Sequence, residues 1–70
     1  MQTQEILRDA RELKETVIKA MELVRRMKSH LPAMEEPAMN AQCSVIHAFL
    51  NQSVHHEQRL EEMLSLKSTS

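Results

Sequence analysis

The stretch ILRDARELKETVIKAMELVRRMKSHL, residues 6–31, decides the fold class. Its apolar side chains fall at Ile6, Ala10, Leu13, Val17, Ala20, Val24, Met27 and Leu31, in alternating steps of four and three without a break. At that spacing successive side chains return to one stripe of an α-helix, and sustained over this length it is a heptad seam. Ile6, Leu13, Ala20 and Met27 take the d positions, while Ala10, Val17, Val24 and Leu31 take a. Leu7, Ile18 and Met21 lie beside the seam, so the apolar surface approaches half of the circumference when each residue is advanced by about 100°. One neighbouring helix covers a narrower stripe, and the width calls for at least two packing partners.

The ends of this helix are marked by charge and by proline. Thr3 is a candidate N-cap, Glu5 and Asp9 sit toward the positive end of the helix dipole, and Arg25, Arg26, Lys28 and His30 gather at the negative end. Pro32 disfavours helical geometry at Leu31, and Pro37 suits the first position of a new helix because its missing N–H would have no partner there. The expected organisation is a single domain: helix 1 over about 4–30, a turn over about 31–36, helix 2 over about 37–66 and a frayed polar tail at 67–70. A connection this short forces the two helices antiparallel.

Helix 2 offers a core face of Met39, Cys43, Ile46, Leu50, Leu60 and Leu64, flanked by Val45, Phe49 and Met63. Its middle departs from the pattern, because Ser53 and Glu57 fall where apolar residues are expected. With a turn centred near Met34, facing residue numbers sum to roughly 67, which places Glu57 opposite Ala10 and near Arg11 and Lys14. A polar residue in an apolar seam penalises wrong registers and partners at some cost in stability, so Ser53, Glu57, Arg11 and Lys14 are the expected specificity determinants.

Composition agrees with an all-α chain. Among 70 residues there is no Gly, Trp or Tyr and a single Phe, while Met occurs six times. Tight glycine hairpins and the aromatic residues favoured in sheets are therefore missing. A chain of this size exposes much of its apolar surface unless something covers it, and the lone Cys43 excludes an intramolecular disulfide as the remedy. The formal net charge of −1 gives no field that steers toward nucleic acid or an acidic membrane surface. No run approaches the roughly 18 apolar residues that span a bilayer, and the N-terminus lacks the pattern of a secretory leader. A reducing intracellular compartment, the cytoplasm, is the corresponding expectation.

Catalytic and metal chemistries find little support. Cys43 and His47, four apart, could present two ligands that a two-fold mate would complete as a zinc site, yet zinc motifs ordinarily gather several ligands within one chain. The simpler reading is a small buried thiol beside a surface histidine, with no metal or other cofactor. His55 and His56 diverge by about 100° and cannot act on one substrate, although either could make an interface sensitive to pH. Nucleophilic catalysis by Cys43 would need a base, an oxyanion pocket and a cleft, none of which a glycine-free hairpin supplies. The basic group Arg25, Arg26 and Lys28 lacks accompanying aromatics and reads first as a favourable helix-end cluster.

The sequence therefore predicts an antiparallel two-helix hairpin that completes a four-helix bundle by homodimerisation or by docking on a helical partner. Its expected function is non-enzymatic protein binding, as an adaptor, co-chaperone or scaffold subunit. The expected interface comprises Ile6, Ala10, Leu13, Val17, Ala20, Met21, Val24 and Met27 from helix 1, with Met39, Ile46, Phe49, Leu50, Leu60 and Leu64 from helix 2. The alternative is a small dimeric regulator using Cys43 and His47, or the basic cluster, to bind metal or nucleic acid.

Overall fold

The computed structural model describes residues 3–69. The chain forms α1 (Thr3–Ser29) and α2 (Pro37–Thr69), which pack along each other as a helical hairpin. Its principal extents are 54 × 14 × 13 Å, close to the length expected of the longer helix at about 1.5 Å per residue. Among the described residues no helix is long and apolar enough to cross a membrane.

The turn closes without a left-handed residue, as a chain lacking glycine requires. The last carbonyls of α1 find other donors. The Ser29 hydroxyl donates to Arg26 O at 2.6 Å, and the N–H groups of His30 and Leu31 donate three residues back, to Met27 O and Lys28 O. Pro32 O accepts from the N–H groups of Glu35 and Glu36 at 3.0 and 2.8 Å, and Glu36 O accepts from Asn40 N, so Pro37 occupies the first helical position. The Asn40 side-chain amide donates to Leu31 O at 2.7 Å, tying the first turn of α2 to the end of α1.

Two expectations about the ends change. Thr3 is already helical and is the first described residue, so it is not seen as a cap. The backbone of α2 runs on to Thr69, beyond the expected end near Leu66; of the tail expected at 67–70, Ser70 lies outside the described residues.

The facing register also differs. Leu31 meets Asn40, and Glu61 meets both Arg11 and Lys14, so facing residue numbers sum to between 71 and 75. The segment after Pro32 runs on before α2 begins, so the first residues of α2 overhang the end of α1. Glu57 consequently faces the stretch from Lys14 to Val17 rather than Ala10.

The rotation of both helices moves by one heptad position. The buried or half-buried side chains of α1 are Thr3, Leu7, Ala10, Lys14, Val17, Ala20, Met21 and Val24; those of α2 include Asn40, Cys43, His47, Leu50, Val54, Glu57, Glu61 and Leu64. The a positions point inward as expected, but their companions are mainly the e positions, with Ala20 the one half-buried d position of α1. The hairpin's own core is correspondingly thin: Leu7, Ala10 and Leu64 form one buried cluster, with Val24 and Cys43 buried farther along. Among the described residues no side chain is completely withdrawn from solvent. The accessible surface is 5521 Å², against about 4,500 Å² for a compact monomer of this mass.

Candidate interaction site

The seam between the helices contains charge. The Lys14 ammonium donates to Glu61 Oε2 at 2.8 Å and the Arg11 guanidinium to Glu61 Oε1 at 3.1 Å, from one helix to the other. The hydrogen bonds from Lys14 and then Arg11 hold the Glu61 carboxyl below its ordinary value, against a smaller opposing effect of burial. Within the hairpin both bases thus engage Glu61, one helical turn beyond the Glu57 partner expected from the sequence. Glu57 is buried in the seam, where the Ser53 hydroxyl and its Oε2 are hydrogen-bonded and its Oε1 has no protein partner.

Two sides of the hairpin differ in chemistry. One shallow groove joins Lys14 of α1 to Gln58, Glu61 and Ser65 of α2, and another joins Val24, Arg25 and Lys28 to Ser44 and His47. With Cys43, Leu50, Glu57 and Leu64 as the a positions of α2, these residues, Val24 apart, occupy e and b positions of both helices, as an antiparallel pair requires when e faces e, and this side carries charge beside the exposed Ile18 and Leu66. By elimination the d and g positions share the other side. There Ile6, Leu13, Leu23 and Met27 of α1 lie beside Met39, Ile46, Phe49, Leu60 and Met63 of α2, all exposed.

This outer face has two apolar patches. Leu23, Met27, Met39, Ile46 and Phe49 form the patch nearer the turn; Ile6, Leu13, Leu60 and Met63 form the patch at the open end. Between them in the sequence lies a polar waist, made of the half-buried Ser53 and the exposed Thr16 and His56, with the half-buried Ala20. The Glu57 side chain reaches back from the seam to Ser53, bringing its carboxylate beneath the waist.

The residues expected at the interface therefore divide in two. Ala10, Val24 and Leu64 are buried between the helices, and Val17, Ala20, Met21 and Leu50 are half-buried. Ile6, Leu13, Met27, Met39, Ile46, Phe49 and Leu60 remain exposed. Cys43 is a buried free thiol. His47 lines a groove with Arg25 and Lys28, whose positive charges oppose a cation there, and among the described residues no three potential ligands cluster for a metal.

Sequence reasoning missed Asn40, which joins the helix ends, and Glu61, which takes both bases. Their signal is a polar row at seven-residue spacing, Asn40, His47 and Glu61, broken by Val54. No family model matches the chain, and no curated protein or solved structure is similar to it.

Proposed function

We propose that this protein is a non-enzymatic interaction module that adds the outer face of its helical hairpin to a shared helical core, as an adaptor, co-chaperone or scaffold subunit does. The observation that supports this reading is a thin, interrupted core beside a large exposed apolar surface. Between the helices the apolar row of Leu7, Val17, Val24, Leu50 and Leu64 is interrupted by Ala10, Lys14, His47, Glu57 and Glu61, while Ile6, Leu13, Ile46, Phe49, Leu60 and Met63 remain exposed. Burying one large apolar side chain is worth about 1.5–3 kcal/mol, so a face of this kind is a strong driving force for association. The completed core is a four-helix bundle, made with a second copy or with a partner's helices.

Capture from the native cell extract tests the reading. Leu13→Glu and Ile46→Glu place a charge on the outer face, and Gln58→Glu places one on the polar side. Association lost in the first two and kept in the third supports the module. A partner retained by both outer-face variants contradicts it.

A second reading, a regulator of anionic ligands, draws on the groove where Arg25 and Lys28 of α1 meet His47 of α2. Nanomolar binding of a labelled oligonucleotide at physiological salt, abolished by Arg25→Ala with Lys28→Ala, would establish it in place of the first.

A further inference from the structure

The cluster of Arg11, Lys14 and Glu61 has a counterpart two heptads away in which one member is changed. Arg25 and Lys28 follow Arg11 and Lys14 by two heptads on α1, and Ser44 and His47 precede Gln58 and Glu61 by two heptads on α2. Two heptads return a side chain to nearly the same face of a helix. Because the helices are antiparallel, both clusters share one register: Lys14 with Glu61 and Lys28 with His47 each sum to 75. Arg25, Lys28, Ser44 and His47 line one groove with the buried Val24, as Lys14, Gln58 and Glu61 line the other. The difference is the acceptor. In the first cluster the Glu61 carboxylate takes hydrogen bonds from both bases; in the second its place is held by an imidazole, which carries no negative charge.

The second cluster is not neutralised from within. Among the described residues Arg25 and Lys28 form no ion pair. From Pro37 to His56 α2 carries no acidic side chain, and Glu22 of α1 falls at an f position, away from the seam. Like charges one turn apart on a helix repel, and an oxyanion seated between them takes the part that Glu61 plays in the first cluster. Its chemistry follows from the donors. Two bases, an imidazole N–H and the Ser44 hydroxyl are more than the two oxygens of a carboxylate need, whereas a phosphate group offers further acceptor oxygens. The groove has a volume of about 250 Å³, below the roughly 300 Å³ at which pockets for drug-sized ligands begin. Two bases in a chain of net charge −1 also make a short footprint for a nucleic-acid backbone.

Resting on the second reading above, whose anionic ligand it names, we propose that the groove of Arg25, Lys28, Ser44 and His47 binds a small phosphate dianion, either the free ion or a monoester, in the place that Glu61 fills beside Arg11 and Lys14. Calorimetric titration at physiological salt with inorganic phosphate and with glycerol phosphate tests this. Saturable binding with a Kd below about 1 mM is expected for at least one of them, and the tighter of the two identifies the source. Lys28→Ala is expected to weaken binding about tenfold or more, while Lys19→Ala, an equal loss of charge outside the groove, leaves it unchanged. His47→Glu supplies the missing carboxylate and is expected to abolish binding, with the helix content followed by circular dichroism. No saturation by about 10 mM of either phosphate, equal weakening by Lys28→Ala and Lys19→Ala, or acetate bound as tightly as phosphate would overturn the proposal. An oligonucleotide bound through Arg25 and Lys28 by a chain that ignores both phosphates would overturn it while leaving the second reading intact.

Discussion

Truncating Phe49 separates a hairpin that is complete by itself from one whose outer face is covered. Phe49 is 68 % exposed in the single chain, and a phenylalanine side chain presents about 200 Å², so about 130 Å² of it remains in water. At about 25 cal/mol per Å², covering all of that area is worth about 3 kcal/mol per copy, and covering two thirds of it about 2 kcal/mol. A two-fold dimer contains two such residues, so Phe49→Ala is expected to weaken association by about 4 kcal/mol, near a thousandfold in Kd. Inside the hairpin the same change removes little buried area, and alanine is the better helix former, so the helix content should hold. Sedimentation equilibrium across a concentration series, with circular dichroism as the control for helix content, measures both quantities. A Kd within about threefold of the wild type would refute the reasoning.

Other substitutions probe the hairpin itself. Leu64→Ala opens a gap against Leu7 and Ala10 and should lower the unfolding free energy in urea by about 2–4 kcal/mol. Glu57→Leu exchanges a buried carboxylate for an apolar side chain, so thermal stability should hold or rise while the sedimentation profile broadens from one species to several; a clear loss of stability would count against the waist as a specificity device. Because the Glu61 carboxyl is held below its ordinary value by Lys14 and Arg11, its contribution is present above the unfolded-state value and is lost as pH falls through the folded one. Acid titration of stability should therefore show a loss below the ordinary carboxylate range that is reduced in Glu61→Gln.

The helical class, the antiparallel hairpin and the start of α2 at Pro37 were legible because they depend on period and on proline, which are local properties. The rotation of each helix was not. Two stripes with the same alternation of three and four run along α1, one through Ile6, Ala10, Leu13 and Val17 and the other through Leu7, Ala10, Lys14 and Val17. Hydrophobicity selects the first, but the pairing of Lys14 and Arg11 with Glu61 across the seam accompanies the second. The shift in register has a similar origin. It depends on how the chain after Pro32 overhangs the end of α1 and on the bond from Asn40 to Leu31, neither of which a residue count through the turn contains. Of the residues read as widening the apolar surface beside the seam, Leu7 and Met21 pack between the two helices and Ile18 remains exposed.

Thermal unfolding of the wild-type chain followed over a hundredfold range of protein concentration bears most directly on whether the outer face is covered by a second copy in the folded state. A folded state that contains that contact is stabilised by mass action, so the midpoint should climb steadily with concentration. A sharp transition at one fixed temperature throughout that range would mean that the hairpin is sufficient alone.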